Sequence, residues 1–149
     1  PVSEIIAGAG GQTVRVRTPH PDRLAAALPA PRLVWVMVPA GKVTQNVVGD
    51  LARILQPGDL VIDGGNSKFT DDFAHAGLLA EKGIDFVDAG VSGGVWGLEN
   101  GYGLMVGGPK EQVERAMPVF DALRPEGPRG AARRRRAWRA RPAPSGRRP

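Results

Sequence analysis

Between residues 33 and 123 the chain alternates short apolar runs with longer stretches whose apolar positions recur every three or four residues. Leu33 to Val38 is apolar throughout, the pattern of a strand covered on both faces, and it places Trp35 in a core. Pro39-Ala40-Gly41 breaks the run. From Val43 onward, Val47, Val48, Leu51, Ile54 and Leu55 mark one face of a helix. Gln56-Pro57-Gly58-Asp59 ends that helix in a turn. Leu60-Val61-Ile62 is a second strand, followed by the polar loop Asp63 to Ser67. Thr70 is placed to cap a second helix, with Asp71 and Asp72 in its first turn. Phe73, Ala76, Leu79 and Ala80 supply its apolar side, and Gly83 ends it. Ile84 to Val87 is a third strand, and the glycine-rich stretch Asp88 to Gly97 breaks into a loop. Leu104-Met105-Val106 is a further strand, closed by Gly107-Gly108-Pro109. A last helix turns Val113, Met117, Phe120 and Leu123 inward, with Pro118 set to bend it. Strand and helix in regular alternation predict an α/β fold on a parallel sheet.

The two ends read differently. Val2 to Ala7 predicts a short strand and Asp22 to Leu28 a short helix ended by Pro29 and Pro31. Gly8-Ala9-Gly10-Gly11-Gln12-Thr13 fails as a dinucleotide fingerprint, because the third glycine falls at Thr13 and no helix opens after it. A glycine turn is the simpler expectation. Beyond Gly127 only Gly, Pro, Arg, Ala, Trp and Ser occur, a composition that predicts disorder. Residues 1–31, 32–126 and 127–149 thus form an N-terminal segment, one domain and a basic tail.

Composition narrows the chemistry. The 149 residues hold no cysteine, which excludes disulfides and thiolate metal sites. The two histidines, His20 and His75, stand far apart in sequence, and no metal cluster is expected. Nine arginines lie between Gly127 and Pro149, so the first 126 residues carry a net −4 against +5 for the whole chain. Basicity therefore makes no case for a nucleic-acid-binding fold. No apolar run reaches the roughly 18 residues of a membrane span. No secretory pattern opens the chain, which points by default to the cytoplasm.

The candidate chemistry sits in the loops that follow the strands, where open α/β sheets bind ligands. Gly64 and Gly65 precede Asn66, whose amide can donate to one ligand and accept from another. Ser92, Gly93 and Gly94 offer a hydroxyl and a backbone free of bulk. Two such loops predict one shared crevice. Lys42 and His75 are expected to be solvated or structural, and Trp96 to pack over the crevice or enter the core.

Val36-Met37-Val38-Pro39-Ala40-Gly41, Ile62 to Ser67, and Asp88 to Gly94 with Met105 to Gly108 occur in this order. Together they resemble the nucleotide-binding domain of decarboxylating 6-phosphogluconate dehydrogenase. With Val95 to Tyr102 the likeness is to the shorter bacterial type that often prefers NAD. The likeness covers about residues 22 to 126. It implies a partial Rossmann-like, doubly wound parallel sheet and an oxidation with NAD or NADP. In that reaction 6-phosphogluconate becomes ribulose 5-phosphate and carbon dioxide, in the pentose phosphate pathway. By motif, Val38, Pro39 and Ala40 would line the nicotinamide ribose. Asn66 would meet cofactor and substrate, and Ser92, Gly93 and Gly94 would bind the sugar acid. 3-Hydroxyisobutyrate dehydrogenase shares the serine-glycine-glycine loop and is the alternative.

The departures carry expectations of their own. Neither the family's opening fingerprint nor its lysine- and glutamate-bearing helices is recognisable, so no catalytic residue is assigned. The helical domain that completes the substrate site, and usually the homo-oligomer, is missing. The chain is therefore expected to be an inactive fragment whose ends read out of the family's frame. A weaker alternative has the arginine tail, with Trp138 among its arginines, bind nucleic acid.

Overall fold

The computed structural model describes residues 3–9, 12–18, 23 and 27–125, the first two segments as backbone only. The expected tail disorder and tail-borne nucleic-acid contact lie outside the described residues, as does most of the helix expected over Asp22 to Leu28. The strands are β1 (Ser3–Ala9), β2 (Gln12–Thr18), β3 (Leu33–Val36), β4 (Leu60–Asp63), β5 (Asp85–Ser92) and β6 (Gly103–Gly107). The helices are α1 (Lys42–Ile54), α2 (Phe69–Ala80), the short α3 (Gly97–Asn100) and α4 (Lys110–Leu123). One sheet holds all six strands in the order β2-β1-β3-β4-β5-β6.

The centre is parallel, as the alternation predicts: β3 pairs with β4 and β4 with β5. Side chains alternate across these strands, so each face collects its own core. Val34, Val36 and Val61 join Val48 and Leu51 of α1 and Leu79 of α2 on one face. Trp35, Leu60, Ile62 and Val87 join Ala116 and Phe120 of α4 on the other. The Trp35 and Phe120 rings meet edge-on at 5.9 Å between centroids. Helices on both faces make the sheet doubly wound. Buried Asp59 ties its entry edge together, accepting from the Arg32 N–H at 2.7 Å and pairing with the guanidinium at 2.9 Å.

Several sequence expectations are corrected. The sheet is not parallel throughout: β6 runs antiparallel to β5, because a tight return through α3 leaves no room for a crossover. That pairing also carries β5 on to Ser92, so Asp88 to Ser92 is strand, not loop. The expected apolar side of α2 holds at Leu79 but fails at Phe73 and Ala80. Its buried residues are Asp72, His75 and Leu79, while Phe73 is 51% exposed. Helix α2 starts at Phe69 after Lys68, with no side-chain cap from Thr70. Trp96 is 67% exposed and belongs to no core.

The hairpin of β1 and β2 explains the failed fingerprint. Ala9 at the end of β1 pairs with Gln12 at the start of β2, and β1 runs antiparallel to β3. Ile5 stands opposite Val36 and Ala7 opposite Val34, so β1 ends at the amino end of β3. That is the end of the sheet remote from the loops after β3, β4 and β5.

Candidate functional site

The parallel pairing of β3, β4 and β5 brings their following loops to one end of the sheet. Each loop has its own means of reaching its place. Val38-Pro39-Ala40-Gly41 leads into α1, and Gly41 stands at φ 87°, a left-handed conformation that favours glycine. The Pro39 carbonyl accepts from the Thr44 hydroxyl at 3.0 Å. Thr44 is fully buried, and the apolar periodicity passes over it. Helix α1 begins beside the loop with no side-chain cap.

The loop after β4 is held from beneath. Gly64 donates its N–H to the Val36 carbonyl at 2.8 Å, and a Cβ there would drive into the Trp35 indole. A Cβ on Gly65 would come within 2.6 Å of the Val38 carbonyl, so the first two loops touch through bare backbone. Asp63, fully buried, accepts from the Gly65 N–H and from the Ser67 hydroxyl, both at 2.8 Å.

Asn66 joins the second loop to the third. Its amide donates to the Val91 carbonyl at 3.2 Å and accepts from the Val91 N–H at 2.9 Å. It does so from φ 55°, the only non-glycine described residue in the left-handed region. A carboxamide suits the task because it carries donor and acceptor side by side. The pair holds Asn66 one residue from Ser92, which ends β5 exposed. Gly93 (φ 148°) and Gly94 (φ 49°) then turn the chain. Gly97 packs against the Tyr102 ring, leaving no space for a Cβ. Val95, Trp96 and Leu98 stand exposed at the tip.

Thus Val38, Pro39, Ala40, Asn66, Ser92, Gly93 and Gly94 do gather at one end of the sheet. Asn66 is fixed against β5, and the residues after Ser92 project outward. Lys42 is exposed. His75 is buried, not solvent-facing.

An acidic cluster beside this end was not visible in the sequence. Asp63, Asp72 and His75 converge, with Asp88 near them. Burial pushes the Asp72 carboxyl up to about 7, and the charges of Asp88, Asp63 and Asp71 add to the rise. Burial and then Asp63 raise Asp88 as well. A cavity of about 310 Å³ opens on Asp72 and Asp88 between Phe69, Phe73 and the Gly107-Gly108 turn. No helix among the described residues is long and apolar enough to cross a membrane.

Comparison with known proteins bears on this arrangement. The family described as the NAD binding domain of 6-phosphogluconate dehydrogenase matches residues 5–125, starting within β1. The chain is 40% identical over 122 residues to the decarboxylating 6-phosphogluconate dehydrogenase of Haemophilus influenzae, covering 82% of this chain and 25% of that protein. It is 40% identical over 111 residues to that of Cunninghamella elegans, with 74% and 23% covered. Among solved structures, 6-phosphogluconate dehydrogenase of Plasmodium falciparum superposes with a TM-score of 0.65 at 27% identity, over 70% of this chain and 22% of that one. The 3-hydroxyisobutyrate dehydrogenase of Mycobacterium tuberculosis gives 0.59 at 32% identity, over 62% and 32%. The chain therefore spans about a quarter of the length of the relatives it matches.

Proposed function

Because the chain belongs to the family of the NAD-binding domain of 6-phosphogluconate dehydrogenase, whose cofactor is NAD or NADP, we propose that it supplies the nicotinamide side of a sugar-acid dehydrogenase site. The proposed reaction is the oxidative decarboxylation of 6-phosphogluconate to ribulose 5-phosphate and carbon dioxide. One observation carries the reading: Asn66 is locked to Val91, which registers the cofactor-side loop against Ser92.

The residues fit such a cofactor. Where Val38 meets Gly65, only glycine permits the approach, and the surface they make is backbone without bulk. Val38, Pro39 and Ala40 would line the nicotinamide ribose. When bound, NAD or NADP accepts the hydride that leaves the substrate. Asn66 spends one amide hydrogen and one oxygen lone pair on Val91, and retains one of each for ligands. The Ser92 hydroxyl, with the Gly93 and Gly94 backbone, would take the substrate carboxylate, for which N–H and O–H donors are the matching chemistry. Positioning of this kind is the chain's own contribution to rate.

Acid–base groups are assigned to the part of the relatives' length that this chain does not span. The only lysine after Gly108 is Lys110, exposed at the start of α4 and paired with Glu114. The reading thus predicts binding without turnover by these 149 residues. A helical domain and a second copy would complete the site.

Fluorescence titration with NADH and NADPH, and calorimetry with 6-phosphogluconate, test it. Binding of both ligand types, weakened by Asn66→Ala and by Ser92→Ala, is expected. Neither ligand binding, or binding indifferent to both substitutions, would contradict it. A second reading, a 3-hydroxy acid dehydrogenase, draws on the 32% identity to the mycobacterial 3-hydroxyisobutyrate enzyme. Preference for 3-hydroxyisobutyrate over 6-phosphogluconate in the same titration would favour it.

A further inference from the structure

We propose that Asp63, Asp72 and His75 form a site for one divalent transition-metal cation, of the zinc or manganese kind, between the end of β4 and the inner face of α2. The three side chains offer one ligand atom each, all within 4.8 Å of one another. Asp72 and His75 are three apart on one helix, so they share a face and point at the same strand end. Asp63 closes the triangle from β4.

Burial makes this more than a cluster of acids. His75 is 5% exposed, and its Nδ1 has no hydrogen-bond partner. It stands 3.8 Å from the nearer Asp63 oxygen. That is too far for a hydrogen bond. It suits two donors of one ion, since ligands each roughly 2.1 Å from a metal stand about 3–4 Å apart. The Asp72 Oδ1 is likewise buried without a partner. Two buried polar atoms left unpaired around one point are costly, and a shared cation would satisfy both.

The surroundings suit a cation. Among the described residues no lysine or arginine forms an ion pair with Asp63, Asp72 or Asp88. Asp63 is already oriented by the Gly65 N–H and the Ser67 hydroxyl, the outer support that metal-bound carboxylates ordinarily have. It has lone pairs to spare. A cavity of about 310 Å³, walled by Phe69, Phe73 and Phe86, opens on Asp72 and Asp88 and brings solvent to one ligand of the cluster. Mixed imidazole and carboxylate donors select zinc or manganese over calcium. The ion's role would be to clamp α2 to β4 beneath the Asn66 loop, outside the sugar-acid site.

The test uses the full chain, first stripped with chelator. It is titrated with zinc chloride and with manganese chloride by calorimetry, and with cobalt chloride by visible absorption. The site predicts one equivalent bound, cobalt bands of nitrogen and oxygen ligation, and a melting temperature that rises with metal concentration. His75→Gln and Asp72→Asn each weaken binding more than about tenfold, the least that losing a direct ligand should cost. His20→Gln leaves it unchanged. Should either cluster variant lose its fold by circular dichroism, the wild-type chain decides. Its His75 imidazole resonances shift with zinc if the site exists and stay still if it does not. No binding at millimolar metal overturns the site. So does binding that survives both cluster substitutions and disappears with His20→Gln.

Discussion

The loops after β4 and β5 are both rich in glycine, yet they use it for opposite ends. After β4, glycine permits contact: Gly64 lies on the Trp35 ring and Gly65 on the Val38 carbonyl. After β5, glycine permits rotation: Gly94 sits at φ 49° with open space where a Cβ would be. Within the first loop Asp63 accepts from Gly65 and Ser67, and Asn66 ties the loop to Val91. The second carries Val95, Trp96 and Leu98 outward. The division suits the proposed function, in which the first loop would serve as a rigid cofactor platform and the second would offer an adaptable surface to a further domain.

The comparison breaks first at Gly64. Gly64→Ala should cost about 3 kcal/mol, the upper part of the range for overpacking a dense core, because the indole beneath it has no room to yield. Denaturant unfolding measures it. Asn66→Ala comes next, at about 2 kcal/mol, since it removes both bonds to Val91 and leaves a left-handed residue without its amide. Asn66→Gly should recover part of that loss by relieving the backbone, but none of the ligand affinity.

The β4 loop should also respond to pH, and the β5 loop should not. In the metal-free protein, Asp72 holds its proton up to about pH 7 against an ordinary value of 3.8. The folded state binds that proton more tightly than the unfolded one. Its stabilising contribution is therefore complete below about pH 4 and is lost as pH rises through about 7. In chelator the melting temperature should fall between pH 5 and pH 8, and Asp72→Asn should flatten the fall. Amide exchange at Gly65 and Ser67 should quicken over the same range, while exchange at Val95 and Trp96 keeps its intrinsic pH dependence. Gly94→Ala should have the smallest effect, about 1 kcal/mol, because only the backbone angle resists it.

Much of this molecule could be read from its residues, and the exceptions have physical causes. Continuous apolar runs named β3 and β4 because both faces of those strands are covered. The Asp63 to Ser67 loop was legible as a loop, whereas the first half of the glycine-rich stretch after it is strand. The inner face of α2 was misread because apolar spacing assumes an apolar interior. Here the buried positions are Asp72 and His75, and Phe73 points to solvent. Thr44 was missed for the same reason. The run of β5 to Ser92 depends on its partner β6, which no local pattern announces. The metal candidate holds a single histidine, with Asp72 three residues before it on α2 and Asp63 twelve before it at the end of β4, a spacing that no local motif announces.

The central claim is that Asn66 registers one shared crevice from the loops after β3, β4 and β5. The most direct test is an amide shift map of the isotopically labelled chain during titration with NADH and then 6-phosphogluconate. The account predicts NADH shifts at Val38, Ala40 and Asn66, substrate shifts at Asn66, Ser92, Gly93 and Gly94, and loss of both sets in Asn66→Ala. Shifts confined to other surfaces, or sets that persist unchanged without the Asn66 amide, would contradict it.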